Sequence, residues 1–207
     1  MEYCAIIGDI VGSKNIKDRQ KIQDEFNRVL NKTNEKFDDF IASNFTITLG
    51  DEFQGLLFKP DISLEIIEYI RERMDPVELV FGVGIGHMET AFTKETSIGS
   101  DGPAYWYARK MVEKAKNKKP TICYYSNSPE DELINSLLYL SESIIKSRTK
   151  KQREIMKQYW VLGSQEKVAE KLGISQSAVS QALQSALAKQ IESCNYSIRN
   201  FLKSKGN

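Results

Sequence analysis

Cysteine is scarce in this chain. Cys4, Cys123 and Cys194 are far apart and form no CxxC pair, and an odd count suits a reducing compartment better than a disulfide framework. No apolar run approaches the ~20 residues needed to cross a bilayer, so no membrane partner is expected. The opening stretch MEYCAIIGDIVGSK lacks a basic start and meets Asp9 inside its short apolar run. It reads as a buried strand, not a signal peptide, and a cytoplasmic location is expected. Histidine is limited to His87, which follows Gly86 and reads as a surface residue at a strand end. There is no internal repeat and no low-complexity segment.

What is present is enough for a core. The chain has 207 residues, 41% of them hydrophobic, which allows one domain or two. The net charge of +1 conceals an asymmetry. Residues 148–207 carry 11 Lys and Arg against 4 Asp and Glu, a local +7, while the remainder has 18 against 24, or −6. An acidic body with a basic tail fits a phosphate-binding module attached to something else. A division into domains 1–147 and 148–207 is expected.

Periodicity supplies the elements. Tyr3 to Val11 is a continuous apolar run typical of an interior strand. Ile22, Phe26, Val29, Leu30, Phe37 and Ile41 predict an amphipathic helix over 18–41. Phe45, Ile47 and Leu49 alternate with threonines, and a turn at Gly50-Asp51 joins them to Phe53–Phe58 as a hairpin. Asp61 is placed as the cap of a helix ended by Pro76, before a strand at 77–85. Gly102 and Pro103 open a further helix to Ala115, and Pro120 leads into a strand at 121–125. This order predicts an α+β fold: a ferredoxin-like mixed sheet with helices on one face, followed by an all-α C-terminal domain. A helix over about 130–147 and another from near Thr149 lead into the tail.

Residues 165–184, QEKVAEKLGISQSAVSQALQ, carry the spacing of a helix-turn-helix. Val168, Ala169, Leu172, Ile174, Val179 and Ala182 form a shared interior for two short helices, Gly173 takes the sharp turn, and Ser164 and Ser175 are N-cap candidates. Gln176, Ser177, Ser180, Gln181 and Gln184 are then left facing solvent, where they can meet base edges or phosphates. Ser175 and Lys167 complete the expected DNA contacts, with Lys150, Lys151, Arg153 and Lys171 as further phosphate contacts. A helical hairpin used only for packing or dimerisation is the alternative. Segment 186–204 suits either a dimer contact or packing on the first domain.

Two aspartates occupy costly positions. Asp9 lies within Ala5–Val11 and Asp51 at the hairpin tip, and a buried carboxylate needs a donor, a proton or a cation. If the first strand lies beside the hairpin, the two carboxylates approach one point and can hold Mg²⁺ or Mn²⁺. Otherwise, Asp9 is held by the amides of residues 11–13 and Asp51 is an ordinary turn residue. GDIVGSK lacks the GxxxxGK[ST] spacing of a phosphate loop.

GDIVGS at 8–13, GDEFQ at 50–54, GVGIG at 82–86 and GPAYWYARKM at 102–111 together resemble the catalytic domain of nucleotidyl cyclases and, more distantly, the GGDEF diguanylate cyclases. With the helix-turn-helix added, the whole chain resembles the bacterial SatD family. The resemblance implies metal ligation by Asp9, Asp51 and the backbone carbonyl of Ile10. It also implies nucleotide contacts at Gly12, Ser13, Tyr105 and Arg109, with Arg109 steadying phosphates. This chain departs from the pattern: Tyr105 stands where cyclases have asparagine, and Leu49 replaces the first glycine of GGDEF. Tyr105 and the adjacent Trp106 either stack on a base or fill the pocket.

The expected function is a DNA-binding transcriptional regulator, not an enzyme, with a cyclase-like domain sensing a nucleotide or metal. A homodimer is expected, because one short recognition helix buries little surface. The alternatives are a metal-dependent nucleotidyl cyclase or nucleotidyltransferase localised by its tail, and a scaffold that recruits proteins.

Overall fold

The computed structural model describes residues 1–13, 18–117 and 120–205. Lys14 of the GDIVGSK stretch lies outside them. Contacts divide the chain into two compact units, Met1–Leu138 with Ile198–Asn207, and Tyr139–Ser197. No helix among the described residues is long and apolar enough to cross a membrane.

The first unit runs β1 (Tyr3–Ile10), α1 (Arg19–Lys36), β2 (Ile41–Leu49), β3 (Glu52–Leu57), α2 (Ser63–Met74), β4 (Leu79–Gly86), α3 (Pro103–Asn117) and β5 (Ile122–Tyr125). α4 (Asp131–Ser147) follows. The sheet order is β2-β3-β1-β4-β5. β1 lies antiparallel between β3 and β4, and β5 joins β4 in parallel. The first four strands with α1 and α2 therefore form two interleaved β-α-β units of the split type.

Both faces of the sheet are covered, because alternate residues point to opposite sides. On one face Phe53 packs edge-on against Phe26 of α1 and Phe81 of β4, with ring centroids 5.2 and 6.1 Å away. Such pairs add about 1 kcal/mol each beyond burial. The opposite face holds α3, whose Ala104, Ala108, Met111 and Val112 pack with Ala5, Ile7, Leu56, Val80 and Cys123. The expectation of helices on one face is thus corrected: α1 and α2 share one side and α3 takes the other. The cause is Gly82 and Gly84 in β4, which project toward α3. A β-carbon at either would collide with the α3 backbone, at Ala108 and Val112 or at Ala104 and Ala108.

Two local expectations also change. The first helix ends at Lys36, a short 3-10 turn covers Asp38–Phe40, and Ile41 begins β2. Asp61 does not cap α2, whose N-cap is Ile62 without a side-chain bond. The end of α8 (Ala188–Lys205), from Ile198 onward, belongs to the first unit. There Ile198 and Leu202 are buried, and Arg199 reaches Glu68 at 3.1 Å.

The second unit centres on α5 (Lys150–Leu162), α6 (Gln165–Leu172) and α7 (Gln176–Ser185). Thr149 and Gln152 form a reciprocal capping box on α5. Ser164 caps α6 and Ser175 caps α7, each accepting a backbone N–H. Gly173, with φ of 63°, turns the chain between α6 and α7; that left-handed backbone strains residues with a β-carbon. Ile155, Met156, Val168, Ala169, Val179 and Leu183 form the core.

Gly84→Val is expected to lower stability by about 3 kcal/mol, because the α3 backbone has no room to yield. Denaturant unfolding read by circular dichroism measures it as a lower midpoint at unchanged slope.

Candidate functional site

The strand register places Asp9 directly opposite Glu52. The backbone N–H of Ile10 donates to the Asp51 carbonyl at 3.1 Å, so the end of β1 and the hairpin tip form one surface. The ends of the chain segments carrying the two aspartates are thus neighbours, while the carboxylates themselves take separate partners, Asp9 with Lys116 and Asp51 with Ser13. Two groups of residues meet at this end of the sheet.

One group lies on the α3 face. Lys116 Nζ is 2.9 Å from Asp9 Oδ2. Arg109 clasps Glu52 with both terminal nitrogens, Nη2 donating to Oε1 at 2.8 Å and Nη1 to Oε2. Glu52 is nearly buried while Arg109 remains half exposed. Thr48 donates to the same carboxylate at 3.0 Å. Burial lifts the Asp9 carboxyl above its ordinary value; the hydrogen bond and charge of Lys116 oppose this, and the charges of Asp51 and Glu52 add to it. Burial would raise Glu52 too, but Arg109 and Thr48 outweigh it and hold the carboxyl below its usual value. Lys116 is shared between Asp9 and Glu113, at 2.9 and 3.1 Å, and burial is the largest cause of the upward shift at Asp9.

The other group lines a cleft of about 280 Å³ formed by Ile10, Ser13, Arg19, Ile22, Gln23, Gly50 and Asp51. Ser13 Oγ donates to Asp51 Oδ2 in a short hydrogen bond, and Gln23 Nε2 donates to the Gly50 carbonyl at 3.2 Å. Gly12 sits in the turn after β1 with open space on its α-carbon. Asp51 therefore has a specific partner beyond the turn itself. Asp9 is held by Lys116, and the N–H of Val11, one of the amides considered for it, goes instead to the Glu78 carbonyl.

Of the residues expected to contact a nucleotide, Ser13 lines the cleft and Arg109 lies on the other face with Glu52. Tyr105 is in the core beneath α3, 6% exposed. Its ring fills the interior, and burial pushes its hydroxyl up to about 12. Trp106 is exposed, its Nε1 donating to Asp101 at 2.5 Å. His87 lies exposed after β4. Glu52 and Lys116 were not singled out by sequence reasoning. Their signals are the strand pairing of Glu52 with Asp9, and the two-turn spacing that puts Arg109 and Lys116 on one side of α3.

The donor types at Asp9, Asp51 and the Ile10 carbonyl are all oxygen, the set that suits Mg²⁺ or Mn²⁺. Each aspartate has one oxygen engaged, Asp9 by Lys116 and Asp51 by Ser13. No cluster of three or more His, Cys, Asp or Glu suited to a metal exists among the described residues.

In the second unit, Lys167, Ser175, Gln176, Ser177, Gln181 and Gln184 are exposed and Ser180 is half-buried. Val179 and Leu183 of the same helix are buried. Gln176 Nε2 donates to Gln165 Oε1 at 2.7 Å, which ties the start of α7 to the start of α6.

Among solved structures, the chain is similar to the catalytic core of a rhodopsin-guanylyl cyclase with converted specificity in complex with ATPαS. That match has 12% identity, covers 59% of this chain and 76% of the other, and has a TM-score of 0.44. It is similar to a bacterial light-regulated adenylyl cyclase at 12% identity, covering 60% of this chain and 43% of the other, with a TM-score of 0.45. A regulator of polyketide synthase expression from Bifidobacterium adolescentis matches at 14% identity over 96% and 85% of the two chains, with a TM-score of 0.28. At these scores the likenesses carry no argument. No curated protein matches. The model of the SatD family matches residues 3–195, a span that includes the Asp9–Glu52 surface and the whole α6–α7 pair. The chain belongs to the SatD family.

Proposed function

We propose that the protein is a DNA-binding regulator of transcription in which α6 and α7 act as a helix-turn-helix and α7 reads the major groove. The observation that carries this reading is the division of α7 into two faces. Val179 and Leu183 are buried against α5 and α6, while Ser177 and Gln181 lie exposed on the other side and Gln176 is exposed at the helix start. Glutamine amides can pair with the adenine edge, and serine hydroxyls serve bases or phosphates. The excess of Lys and Arg over Asp and Glu in residues 148–197, 8 against 4, supplies the phosphate attraction, with Lys167 and its neighbours as contacts. On this reading 148–207 is the DNA-binding domain and the protein works as a homodimer, since one short helix offers too little interface for tight specific binding.

The first domain is read as a cyclase-like sensor. Asp9, Asp51 and the Ile10 carbonyl would hold Mg²⁺ or Mn²⁺, with Gly12, Ser13 and Arg109 toward a nucleotide's phosphates. The cation would supply charge for phosphate binding. Arg109 is engaged by Glu52 and Lys116 by Asp9, so ligand entry on that face competes with existing ion pairs.

Salt titration tests the DNA reading. Affinity for duplex DNA is expected to fall linearly with the logarithm of salt, and Lys167→Ala to reduce the slope by about 1. Fluorescence anisotropy measures both; salt-independent affinity, or none, would leave a protein-recruiting scaffold as the better reading. Thermal shift with ATP or GTP and Mn²⁺ tests the sensor. A ligand at about a hundred times its Kd adds about 2.7 kcal/mol of stability, a gain expected to disappear in Asp9→Asn and in Asp51→Asn. A panel without effect on the wild type would remove the sensor role.

A further inference from the structure

A second cavity, of about 410 Å³, lies wholly inside the helical unit, between the end of α5, the start of α6, α7 and the first turns of α8. Its size falls in the range of small-molecule sites. Its lining is distinctive in three respects.

Aromatic surface forms one part. Tyr159 and Trp160 both line the cavity, and their rings are 6.4 Å apart and tilted by 57°. They do not stack on each other, and Trp160 is 58% exposed. A large indole left this open offers a face to a flat partner. Buried Leu183 and Ala188 supply the apolar remainder.

Amide groups form another part. Gln184 and Gln190 line the cavity, and their side chains have no hydrogen-bond partner among the described residues. Each amide offers both a donor and an acceptor, the combination that pairs with a ring bearing both kinds of group along one edge.

Charge is the third. Lys189 and Glu192 stand one turn apart on α8 beside the cavity, with no ion pair between them among the described residues. Their charges offset each other, so the cavity has no net attraction for phosphate.

We propose that this cavity binds an uncharged planar heteroaromatic molecule of the nucleobase or nucleoside class, stacked on Trp160 and held at its edge by Gln184 and Gln190. The same ring chemistry occurs in a free nucleoside, a nucleotide and an unstacked base of a single strand. The neutral lining favours the free nucleoside.

The test uses the full chain carrying Trp106→Phe, which leaves Trp160 as its only tryptophan. Adenosine, AMP and a short single-stranded oligonucleotide are titrated while Trp160 fluorescence is followed. No duplex is present, so failure here is separate from failure of the DNA reading. Adenosine is expected to quench the signal saturably and AMP to bind no more tightly. Gln190→Ala, a surface change that leaves the melting temperature unaltered, is expected to weaken adenosine about tenfold, or 1.4 kcal/mol. Absence of saturable quenching, or quenching indifferent to Gln190→Ala, would overturn the proposal. So would binding of AMP or of the oligonucleotide tenfold tighter than adenosine.

Discussion

The close seating of α3 on β4 is the constraint on which the first unit depends. Gly82 and Gly84 remove side chains where the helix backbone comes down, at Ala104, Ala108 and Val112. With α3 at that depth, Arg109 and Lys116 reach across to Glu52 and Asp9. Larger residues in β4 would lift the helix, leaving a nearly buried glutamate and a half-buried aspartate without their cations, which is far more unfavourable than the pairs are favourable. The electrostatics of the candidate site are therefore a consequence of glycine placement in a neighbouring strand.

Much of this was legible from pattern. The apolar run of β1, the hairpin about Gly50-Asp51 and the caps Ser164 and Ser175 all rest on local chemistry, and local chemistry is what a sequence exposes directly. Corrections arose where tertiary contact decides. Asp61 has the chemistry of a cap, yet Ile62 occupies that position. GVGIG was read as part of a resemblance, and its packing meaning, a floor for α3, needed the helix in place. The pairing of Glu52 with Arg109 and of Asp9 with Lys116 spans strand and helix far apart in sequence, and no local periodicity announces it. Tyr105 illustrates the reverse: of its two readings, stacking or filling, burial selects filling.

The two units differ in how their charges are disposed. In the first, Arg109 and Lys116 are spent on carboxylates within the fold. In the second, the lysines and glutamines of α6 and α7 are largely exposed, while a small apolar core holds the helices together. The proposed function assigns ligand sensing to the first of these and DNA contact to the second. Family membership covers both, because the match runs through residues 3–195.

The central claim is that α7 reads base sequence. The most direct measurement is selection of bound duplexes from a random pool by the full chain, followed by sequencing. The account predicts a reproducible motif for the wild type that is lost or altered at defined positions in Gln176→Ala and Gln181→Ala, since each good base contact contributes about 1–3 kcal/mol of discrimination. Recovery of no motif, or of one unchanged in both variants, would contradict it.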